Sequence, residues 1–474
     1  IYGFSLILSV VAIIYVINSK SNPDFKLTWI LLFMATPILG TAFYIYVKIQ
    51  PGTAFIEKRL NDLYQITKPY LLQDKKILED IRVSKPSNAN LVSYLNNQIS
   101  YPIYRNTSVT YFASGEEKFE ALKEELSKAE DYIFMEYFII EKGIMWSEIL
   151  DILKAKVWQG VDVRFMYDGM CSMQLVPYHY DRELKRAGIK CKQFSPIRPV
   201  LSSYQNNRDH RKILVIDGHT AFTGGINLAD EYINRKERFG HWKDTAVMLK
   251  GDAVWNFTMM FLQLWEITYG EGLATDYDKY RPEVHMPIKI QSDGYVMPYG
   301  DSPLDNENVG ELVYMNIINS AKDYVYIMTP YLILDNEMIT ALGYAAKSGI
   351  DVRIIVPGIP DKWYVKSIGW SYYRELIELG VKIYEYNGFI HAKSFVSDDT
   401  TAVVGTINLD YRSLYLHFEC AAYMYKLPCV DDVKKDFLNI QKNNCVEVTL
   451  EMCEKRSFIN KVISAGLRTL APLL

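Results

Sequence analysis

A chain of 474 residues is long enough for two or three domains and a large buried core. Its formal net charge of −4 at pH 7 gives no overall basic field that would attract nucleic acid. The six cysteines form no Cys-x-x-Cys pair, so we expect mostly reduced thiols and no disulfide framework at this size.

The clearest composition shift lies in the first 50 residues. No charge occurs from Ile1 to Ser19, and the 21 residues from Leu27 to Val47 are also uncharged. Because a membrane-spanning helix needs about 20 apolar residues, this pattern predicts two transmembrane helices, joined by the short loop at 20–26. A secretory signal peptide is the alternative for the first segment. Its apolar part would be shorter, roughly 7–15 residues, and no second apolar segment would follow at once.

The charges beside these segments bear on their orientation. The loop carries two lysines, and a larger basic group follows the second segment, including Lys48, Lys58 and Arg59. This excess weakly favours a cytoplasmic catalytic part. The chain begins at Ile1 and not at Met, so we expect that the true N-terminus is missing and that the count is incomplete.

Two further segments have helical patterns. Residues 50–105 predict a helical connector, in which 55–66 could lie on a membrane surface or pack on the first domain. Residues 456–474 are apolar with Arg456, Lys461 and Arg468 interspersed. This pattern suits an interfacial helix that anionic headgroups attract. A terminal helix docked on the protein core fits equally well.

The rest of the chain reads as two similar halves. In the first, a helical stretch at 117–129 precedes a continuous apolar strand at 132–140. The second half repeats this order, with similar segments at 129–139 and 321–333, at 160–169 and 349–358, and at 184–191 and 376–383. Strands that alternate with helices predict an α/β sheet covered on both faces. A repeat of this length indicates duplicated domains and not a solenoid.

Each half contains one copy of the same motif, H-x-K-x4-D-x6-G-x-x-N. The first copy comprises His210, Lys212, Asp217, Gly224 and Asn227, and the second comprises His391, Lys393, Asp398, Gly405 and Asn408. A single H-x-K would favour an ordinary surface strand, because short motifs match by chance. Two copies in the same register, 181 residues apart, make chance very improbable.

The residue types in the motif point to an anion. Residues i and i+2 of a strand share a face, and an ammonium beside a histidine disfavours a metal but suits phosphate oxygens. If the two halves face each other around one phosphate, one histidine attacks phosphorus. The other protonates the leaving alcohol and then deprotonates the incoming one. We expect Lys212, Lys393, Asn227 and Asn408 to hold the nonbridging oxygens, so no metal and no cofactor is needed.

Other members of the motif have weaker assignments. Asp217 and Asp398 should point to the opposite strand face, so we interpret them as structural although they complete the catalytic motif. For Gly224 and Gly405, a backbone role (a positive φ or close approach to phosphate) and simple turn punctuation are equally good interpretations. A core or surface role is the default for the histidines without a duplicated partner, which are His179, His219, His241, His285 and His417.

The paired motifs resemble the phospholipase D superfamily, and the whole chain resembles bacterial cardiolipin synthases with two such motifs. The resemblance rests on the N-terminal apolar segments and on residues 106–122, 206–212, 224–232, 405–413 and 467–474. It implies two phospholipase D-like α/β domains, duplicated mixed sheets flanked by helices, at 106–280 and 281–474. A transmembrane hairpin at 1–49 and the connector at 50–105 would precede them.

The resemblance also implies roles. Asp244 and Glu419, about 30 residues after the motif histidines, would orient the imidazoles; an ordinary buried salt bridge is the alternative. His210 would be the nucleophile and His391 the acid and base. The substrate would be phosphatidylglycerol, which gives cardiolipin and glycerol through a phosphohistidine, in a multi-pass protein of the bacterial cell membrane. No nucleic acid partner is expected, and the acceptor specificity and oligomeric state stay open.

Two other activities within the same superfamily are alternatives. A membrane-bound phospholipase D would use the same residues with water as acceptor, giving phosphatidic acid. A nuclease of the superfamily would want a basic groove, which the acidic net charge disfavours. A rival of another class is a membrane-anchored lipid-binding protein with dead sites, although both motifs are complete.

Overall fold

The structure is a computed structural model that describes residues 2–48, 51–194, 207–268, 275–285, 290–305 and 307–473. Its helices are α1 (Tyr2–Ile17), α2 (Pro23–Ala35), α3 (Pro37–Lys48), α4 (Pro51–Thr67), α5 (Lys75–Ser84), α6 (Pro86–Ile99), α7 (Gly115–Lys128), α8 (Ile144–Trp158), α9 (Tyr180–Arg186), α10 (Val254–Ile267), α11 (Pro282–His285), α12 (Val309–Ser320), α13 (Asn336–Lys347), α14 (Trp363–Glu378), α15 (Tyr411–Tyr415), α16 (Cys429–Asn444), α17 (Leu450–Lys455) and α18 (Phe458–Leu470).

The strands fall into two groups along the chain. The first half contains β1 (Thr107–Phe112), β2 (Tyr132–Tyr137), β3 (Asp162–Asp168), β4 (Lys190–Phe194), β5 (Arg208–Asp209), β6 (Lys212–Ile216), β7 (Thr220–Gly224), β8 (Trp242–Lys243) and β9 (Ala246–Gly251). The second contains β10 (Tyr295–Asp301), β11 (Tyr324–Met328), β12 (Asp351–Pro357), β13 (Lys382–Tyr386), β14 (Phe389–Ile390), β15 (Ser394–Ser397), β16 (Thr401–Gly405), β17 (His417–Tyr425) and β18 (Cys445–Glu447).

The two main sheets have the same topology. The first runs β1-β9-β7-β6-β2-β3-β4, and the second runs β10-β17-β16-β15-β11-β12-β13 and ends on β18. In both, the three strands that alternate with helices are parallel and the others are antiparallel. The prediction of duplicated, mixed α/β domains is therefore confirmed. The exact domain limits stay a prediction, and the limit at 49–50 lies outside the described residues.

Helix α10 lies against both sheets. Almost all of its side chains are buried, and it contacts β2 and β6 of the first sheet as well as β10 of the second. A helix that is apolar on every side needs protein on every side. The sequence VWNFTMMFLQLWEI therefore joins the two halves through a shared core, and this core fixes their motif strands relative to each other.

The N-terminal segment needs a correction. Helix α2 ends at Ala35 and α3 begins at Pro37, so the predicted second transmembrane helix is two short helices. Proline ends a helix because it lacks the backbone N–H and restricts the residue before it. Within the described residues, no helix is both long enough and apolar enough to cross a bilayer. The predicted transmembrane hairpin is therefore replaced by α1, α2 and α3, and Ile1 lies outside the description.

These short helices pack on each other and on the second half. Trp29, Phe33 and Tyr44 form a small core between them. The Tyr411 hydroxyl donates a hydrogen bond to Asp24 at 2.5 Å, and the Phe25 ring contacts that of Tyr411 with centroids 5.6 Å apart. Because α15 starts at Tyr411, the N-terminal helices are attached beside the second motif.

The two predicted helical segments form. Helices α4, α5 and α6 occupy the connector and bury leucines in the main core, as the docked alternative requires. Helix α18 packs on α14, where Ser464 and Ser367 share a hydrogen bond of 2.9 Å. Its other face exposes Phe458, Ile459 and Val462. The terminal helix thus combines a docked face with an apolar free face.

Candidate active site

Each motif histidine is held by a strand that pairs with the opposite half. Strand β5 pairs with β17, and the His210 N–H then donates to the Phe418 carbonyl at 2.9 Å. In the same way β14 pairs with β8, and the His391 N–H donates to the Lys243 carbonyl at 2.7 Å. The chain therefore crosses between the halves twice, just before each catalytic motif.

The crossing decides which carboxylate meets which imidazole. His210 Nδ1 lies 2.9 Å from both carboxylate oxygens of Glu419, and His391 Nδ1 lies 2.7 Å from Asp244 Oδ2. The sequence placed these carboxylates near the histidines, but each one follows the motif of its own half. In the structure each carboxylate binds the histidine of the other half, because β8 and β17 are the strands beside which β14 and β5 lie.

Both imidazoles line one cavity of about 490 Å³. His210 is 6% exposed and His391 is 7% exposed. With Nδ1 bound to a carboxylate, each imidazole keeps Nε2 for chemistry. One cavity shared by two such groups is the arrangement that a two-step displacement at one phosphorus needs.

The two lysines are placed differently from the prediction. Lys212 and Lys393 are fully buried and do not line the cavity. The Lys212 ammonium donates to the His210 carbonyl at 2.6 Å, and Lys393 donates to the His391 carbonyl. An ammonium has three N–H donors, so two donors on each lysine are left for a phosphate. The role of the lysines as phosphate ligands stays a prediction.

The two asparagines are not equivalent. The Asn227 side-chain oxygen accepts the Ile139 N–H at 3.0 Å, and its nitrogen donates to the Tyr232 hydroxyl at 2.7 Å. The Asn408 side-chain oxygen is buried and has no hydrogen-bond partner among the described residues. Both asparagines line the cavity. The Asn227 amide is thus occupied by protein contacts at both ends, whereas the Asn408 side-chain oxygen could accept a hydrogen bond from a ligand.

The two motif aspartates bind backbone. Asp217 accepts the N–H groups of Glu130, Asp131 and Tyr132 at 2.7 to 2.9 Å. Asp398 accepts those of Lys322, Asp323 and Tyr324 at 2.9 to 3.2 Å. Neither aspartate lines the cavity. Their geometry is that of a structural clamp between the end of the motif strand and the start of the neighbouring strand.

We therefore expect Asp398→Asn to lower the free energy of unfolding by about 2 kcal/mol or more, because hydrogen bonds to a charged group are lost at several donors. Urea denaturation measures this change. Asp399→Asn is the matched control, since Asp399 is the next residue, is exposed and also has a positive φ. A well-folded but inactive Asp398→Asn protein would contradict the structural assignment.

The motif glycines serve strand packing. A Cβ at Gly224, where φ is 144°, would lie 2.4 Å from the Thr245 carbonyl oxygen. A Cβ at Gly405 would lie 2.3 Å from the Ala421 Cβ. The first obstacle is the residue directly before β9, and the second lies on β17. Gly224 therefore has both a positive φ and close contact with the neighbouring strand, whereas at Gly405 the close contact with β17 alone requires glycine.

The next motif position makes the halves differ. Thr406 Oγ1 donates to Glu419 at 2.5 Å, whereas Gly225 occupies the corresponding place in the first half. A Cβ at Gly225 would lie 2.1 Å from Asp244 Oδ1. The first half therefore combines glycine with the shorter-chain aspartate, and the second combines threonine with glutamate. The two imidazoles consequently have chemically different partners.

Burial shifts the ionisation of the site. Burial, together with Lys393, lowers the pKa of His391 to about 4, and burial with Lys212 holds the pKa of His210 well below its ordinary value. Burial also lowers the pKa of Lys212 to about 8 and that of Lys393 to about 7. The pKa of Glu419 is lowered by His210, although burial opposes this. The free site therefore holds neutral imidazoles at neutral pH.

This shift predicts a pH dependence of stability. The folded-state pKa of His391, about 4, lies below the ordinary value of 6.5, so between these pH values the unfolded chain binds a proton that the folded chain does not. Stability should be unaffected above pH 6.5 and should fall as the pH falls, with His391 contributing about 2 kcal/mol between pH 7 and pH 4.5. Denaturation of wild type and His391→Gln at both pH values measures it. An equal loss in both proteins would refute it.

One residue at the site has no role in the sequence prediction. His417 lines the cavity, and its ring centroid lies 5.5 Å from that of His210. It is two residues before Glu419 on β17, so it shares a strand face with that carboxylate. This spacing was the signal available in the sequence. His210, His417 and Glu419 also place potential metal ligands within 4.8 Å of one another, and they are the residues of the described chain that could hold a metal ion.

Known proteins share this fold and these motifs. A family model described as "Cardiolipin synthase, PLD-like domain" matches residues 122–265 and 314–441. A second model, described as "Phospholipase_D-nuclease N-terminal", matches residues 7–48. A cardiolipin synthase of Alkalihalophilus pseudofirmus is 34% identical over 98% of this chain and 92% of its own length. An uncharacterized protein of Streptococcus mutans serotype c is 51% identical over 98% of this chain and 99% of its own length.

A solved structure shows the same fold. The crystal structure of phosphatidylserine synthase from Haemophilus influenzae matches with a TM-score of 0.61 at 14% identity, covering 82% of this chain and 98% of that one. The family model and the full-length relatives show a phosphatidyltransferase of the phospholipase D superfamily, and the cavity that the two motif histidines share agrees with it. The chain belongs to the cardiolipin synthase family. The predictions of this family and of this activity are confirmed.

Proposed function

We propose that this protein joins two phosphatidylglycerol molecules into cardiolipin and releases one glycerol, through a phosphohistidine at His210. The observation that carries the proposal is the shared cavity, in which His210 and His391 each have a separate carboxylate partner. Two independently oriented imidazoles allow one to act as nucleophile while the other transfers protons.

In the first step, His210 Nε2 attacks the phosphorus of phosphatidylglycerol. The N–P bond forms, the bond from phosphorus to the glycerol oxygen breaks, and His391 gives its proton to that oxygen. Glu419 accepts the Nδ1 proton of His210 in a hydrogen bond and stabilises the positive charge that develops on the ring. The low pKa of Glu419 keeps this partner ionised.

In the second step, a glycerol hydroxyl of another phosphatidylglycerol attacks the same phosphorus. His391 takes the hydroxyl proton, the new O–P bond forms and the N–P bond to His210 breaks. The two substrate molecules carry two phosphodiester groups, and cardiolipin also carries two. Because their number does not change, the reaction needs no nucleotide as an energy source. His391 returns to the protonated state that the next first step requires.

The proton on His391 is connected to substrate binding. In the free site burial and Lys393 hold the pKa of His391 near 4. A bound phosphodiester is an anion, and an anion beside the imidazole favours the protonated form. Substrate binding therefore favours the protonated form of His391, which is the general acid. In this proposal His210, beside Lys212, stays neutral for the attack.

Transfer requires that water does not reach the phosphohistidine. Aromatic side chains such as Phe138, Trp242 and Phe389 form part of the cavity wall, beside charged ones such as Arg208 and Asp361. The aromatic part restricts the access of water and gives a lipid acceptor an apolar surface. This favours a transferase over a hydrolase that uses the same two histidines.

The protein is proposed to act at a bacterial cell membrane, with the catalytic part on the cytoplasmic side. The family match at residues 7–48 supports membrane association. So do the apolar side chains that the N-terminal helices expose, such as Met34 at 68% and Leu39 at 73%. Apolar surface of this kind indicates an apolar environment.

The test is the product that the full chain forms in detergent micelles from phosphatidylglycerol alone, with a metal chelator present. We expect cardiolipin and glycerol in equal amounts, because the displacement needs no group beyond the protein side chains. Phosphatidic acid without cardiolipin would indicate a hydrolase, and the absence of any product would indicate a binding protein. A second lipid alcohol added to the micelles would then define the acceptor range.

A further inference from the structure

Three buried ring nitrogens at the cavity wall, two on His417 and one on Trp242, have no role in the displacement described above. His417 has no hydrogen-bond partner on either ring nitrogen among the described residues, and neither has the indole N–H of Trp242. Both residues line the cavity and both are more than nine-tenths buried. Buried polar atoms are nearly always hydrogen-bonded, so atoms left unpaired beside a cavity are expected to bind what fills it.

The two residues occupy the same place in the two halves. His417 is two residues before Glu419, and Trp242 is two residues before Asp244. His417 pairs with Arg208 in the β17–β5 ladder, and Trp242 pairs with Phe389 in the β8–β14 ladder. Each ladder partner lies two residues before the motif histidine of its own half. Duplication therefore places one unpartnered ring nitrogen beside each catalytic imidazole.

The distances to the imidazoles are nearly equal. The ring centroids of His417 and His210 are 5.5 Å apart, and those of Trp242 and His391 are 5.4 Å apart. A ring nitrogen of His417 lies within 4.8 Å of one on His210. A spacing of this size leaves room for one oxygen that accepts a hydrogen bond from His417 while its phosphorus meets His210.

The protein partners of His417 are already occupied. Its Nδ1 lies 3.6 Å from Glu419 Oε1, which is longer than a hydrogen bond. Glu419 instead binds His210 and accepts a hydrogen bond from Thr406. The imidazole of His417 and the indole of Trp242 each carry an N–H donor for which the described residues provide no acceptor.

Neither motif lysine lines the cavity, whereas His417 and Trp242 do. Both ends of the Asn227 amide have protein partners, and each lysine ammonium donates to the carbonyl of its own motif histidine. A phosphodiester in displacement has two nonbridging oxygens, which need donors placed before the reaction. Two donors related by the duplication match two oxygens of one phosphoryl group.

We propose that His417 and Trp242 are catalytic residues that donate ring N–H hydrogen bonds to the two nonbridging oxygens, one on the His210 side and one on the His391 side. The inference deepens the proposed function, because it concerns the phosphoryl group that either transfer or hydrolysis would displace. The ligand class is therefore any phosphodiester headgroup lipid, and the identity of the acceptor does not enter.

The test uses His417→Phe and Trp242→Phe, which keep an aromatic ring and remove the donor. Release of glycerol from phosphatidylglycerol should fall about tenfold to hundredfold in kcat with little change in KM, since the lost hydrogen bonds strengthen in the transition state. His417→Gln keeps an N–H donor and should recover part of the rate. The matched controls are His179→Asn and Trp158→Phe, whose parent residues are exposed and do not line the cavity.

Phosphorothioate analogues provide a measurement that a purely structural role would not change, namely the rate effect of sulfur at each nonbridging position. The substrates are the two stereoisomers of phosphatidylglycerol with sulfur in place of one nonbridging oxygen. The wild type should be slowed by both, because sulfur accepts a hydrogen bond poorly. His417→Phe should lose the slowing for one isomer, and Trp242→Phe should lose it for the other.

Several results would overturn the inference. One is a wild-type rate that falls by less than twofold with each isomer. This measurement does not depend on whether the variants fold. Another is a pair of folded variants that keep the wild-type response to both isomers, or that change the response to the same isomer. A third is loss of wild-type rate in a chelator to the level of His417→Phe, which would make His417 a metal ligand. Failure to form cardiolipin would instead refute the proposed function alone.

Discussion

Replacing His210 with glutamine should lower cardiolipin formation by about 10⁴-fold or more, because the covalent intermediate of the proposed mechanism forms on the His210 imidazole. Replacing His391 with glutamine should lower it by about 10²- to 10⁴-fold, the usual contribution of a general acid and base. Both imidazoles line the same cavity, so turnover of the natural lipid alone would not tell their roles apart.

A substrate with a better leaving group separates the two roles. A p-nitrophenyl ester of phosphatidic acid releases p-nitrophenolate without help from a general acid. His391→Gln should then give a burst of one p-nitrophenolate per site and stop, since the next step lacks its base. His210→Gln should give no burst. His219→Gln is the control, because His219 does not line the cavity. A burst in His210→Gln would reverse the assignment and make His391 the nucleophile.

The second large effect concerns the crossed carboxylates. Glu419→Gln should slow the burst with the p-nitrophenyl ester by about 10²- to 10⁴-fold, because Glu419 is the partner of His210 and holds its tautomer. Asp244→Asn should leave most of the burst rate and slow the turnover that follows it, because Asp244 is the partner of His391. Rapid mixing with absorbance detection measures both phases in one experiment.

The contrary result is equally clear. If each carboxylate served the histidine of its own half, Asp244→Asn would slow the burst and Glu419→Gln would slow the later turnover. Melting temperatures of both variants are needed alongside, since both carboxylates are fully buried. Asp436→Asn is a useful comparison, because Asp436 is a buried carboxylate that binds Lys243 and does not line the cavity.

The crossed arrangement has a consequence for the enzyme as a whole. Neither half contains a complete histidine–carboxylate pair, since each catalytic histidine and its carboxylate come from different domains. Each ladder that brings them together has only two residue pairs. The relative position of the halves is instead fixed by the buried helix α10 and the core around it. Core substitutions at that helix should therefore disturb both imidazoles together.

In the N-terminal segment, the apolar residues from Leu27 to Val47 have the length of one membrane-spanning helix, but Pro37 divides them into α2 and α3. Composition counts apolar residues, whereas a helix also needs an unbroken series of backbone N–H donors.

From the sequence alone, the alternation of apolar strands with helices predicted the α/β class, and the doubled motif predicted the two histidines and a structural role for Asp217 and Asp398. The family came from the resemblance that the paired motifs carry, since two copies in the same register made chance very improbable. The resemblance to that family, and not the spacing, named Asp244 and Glu419 as partners of the imidazoles.

Only the tertiary structure decided which carboxylate serves which histidine, that Asn227 is already bound while Asn408 is not, and that His417 and Trp242 stand beside the two imidazoles. These facts depend on which strands of the other half lie next to β5 and β14. The paired strands lie 209 residues apart at Arg208 and His417 and 147 apart at Trp242 and Phe389. The packing of both domains around α10 brings them together, and no local pattern of residues encodes that choice.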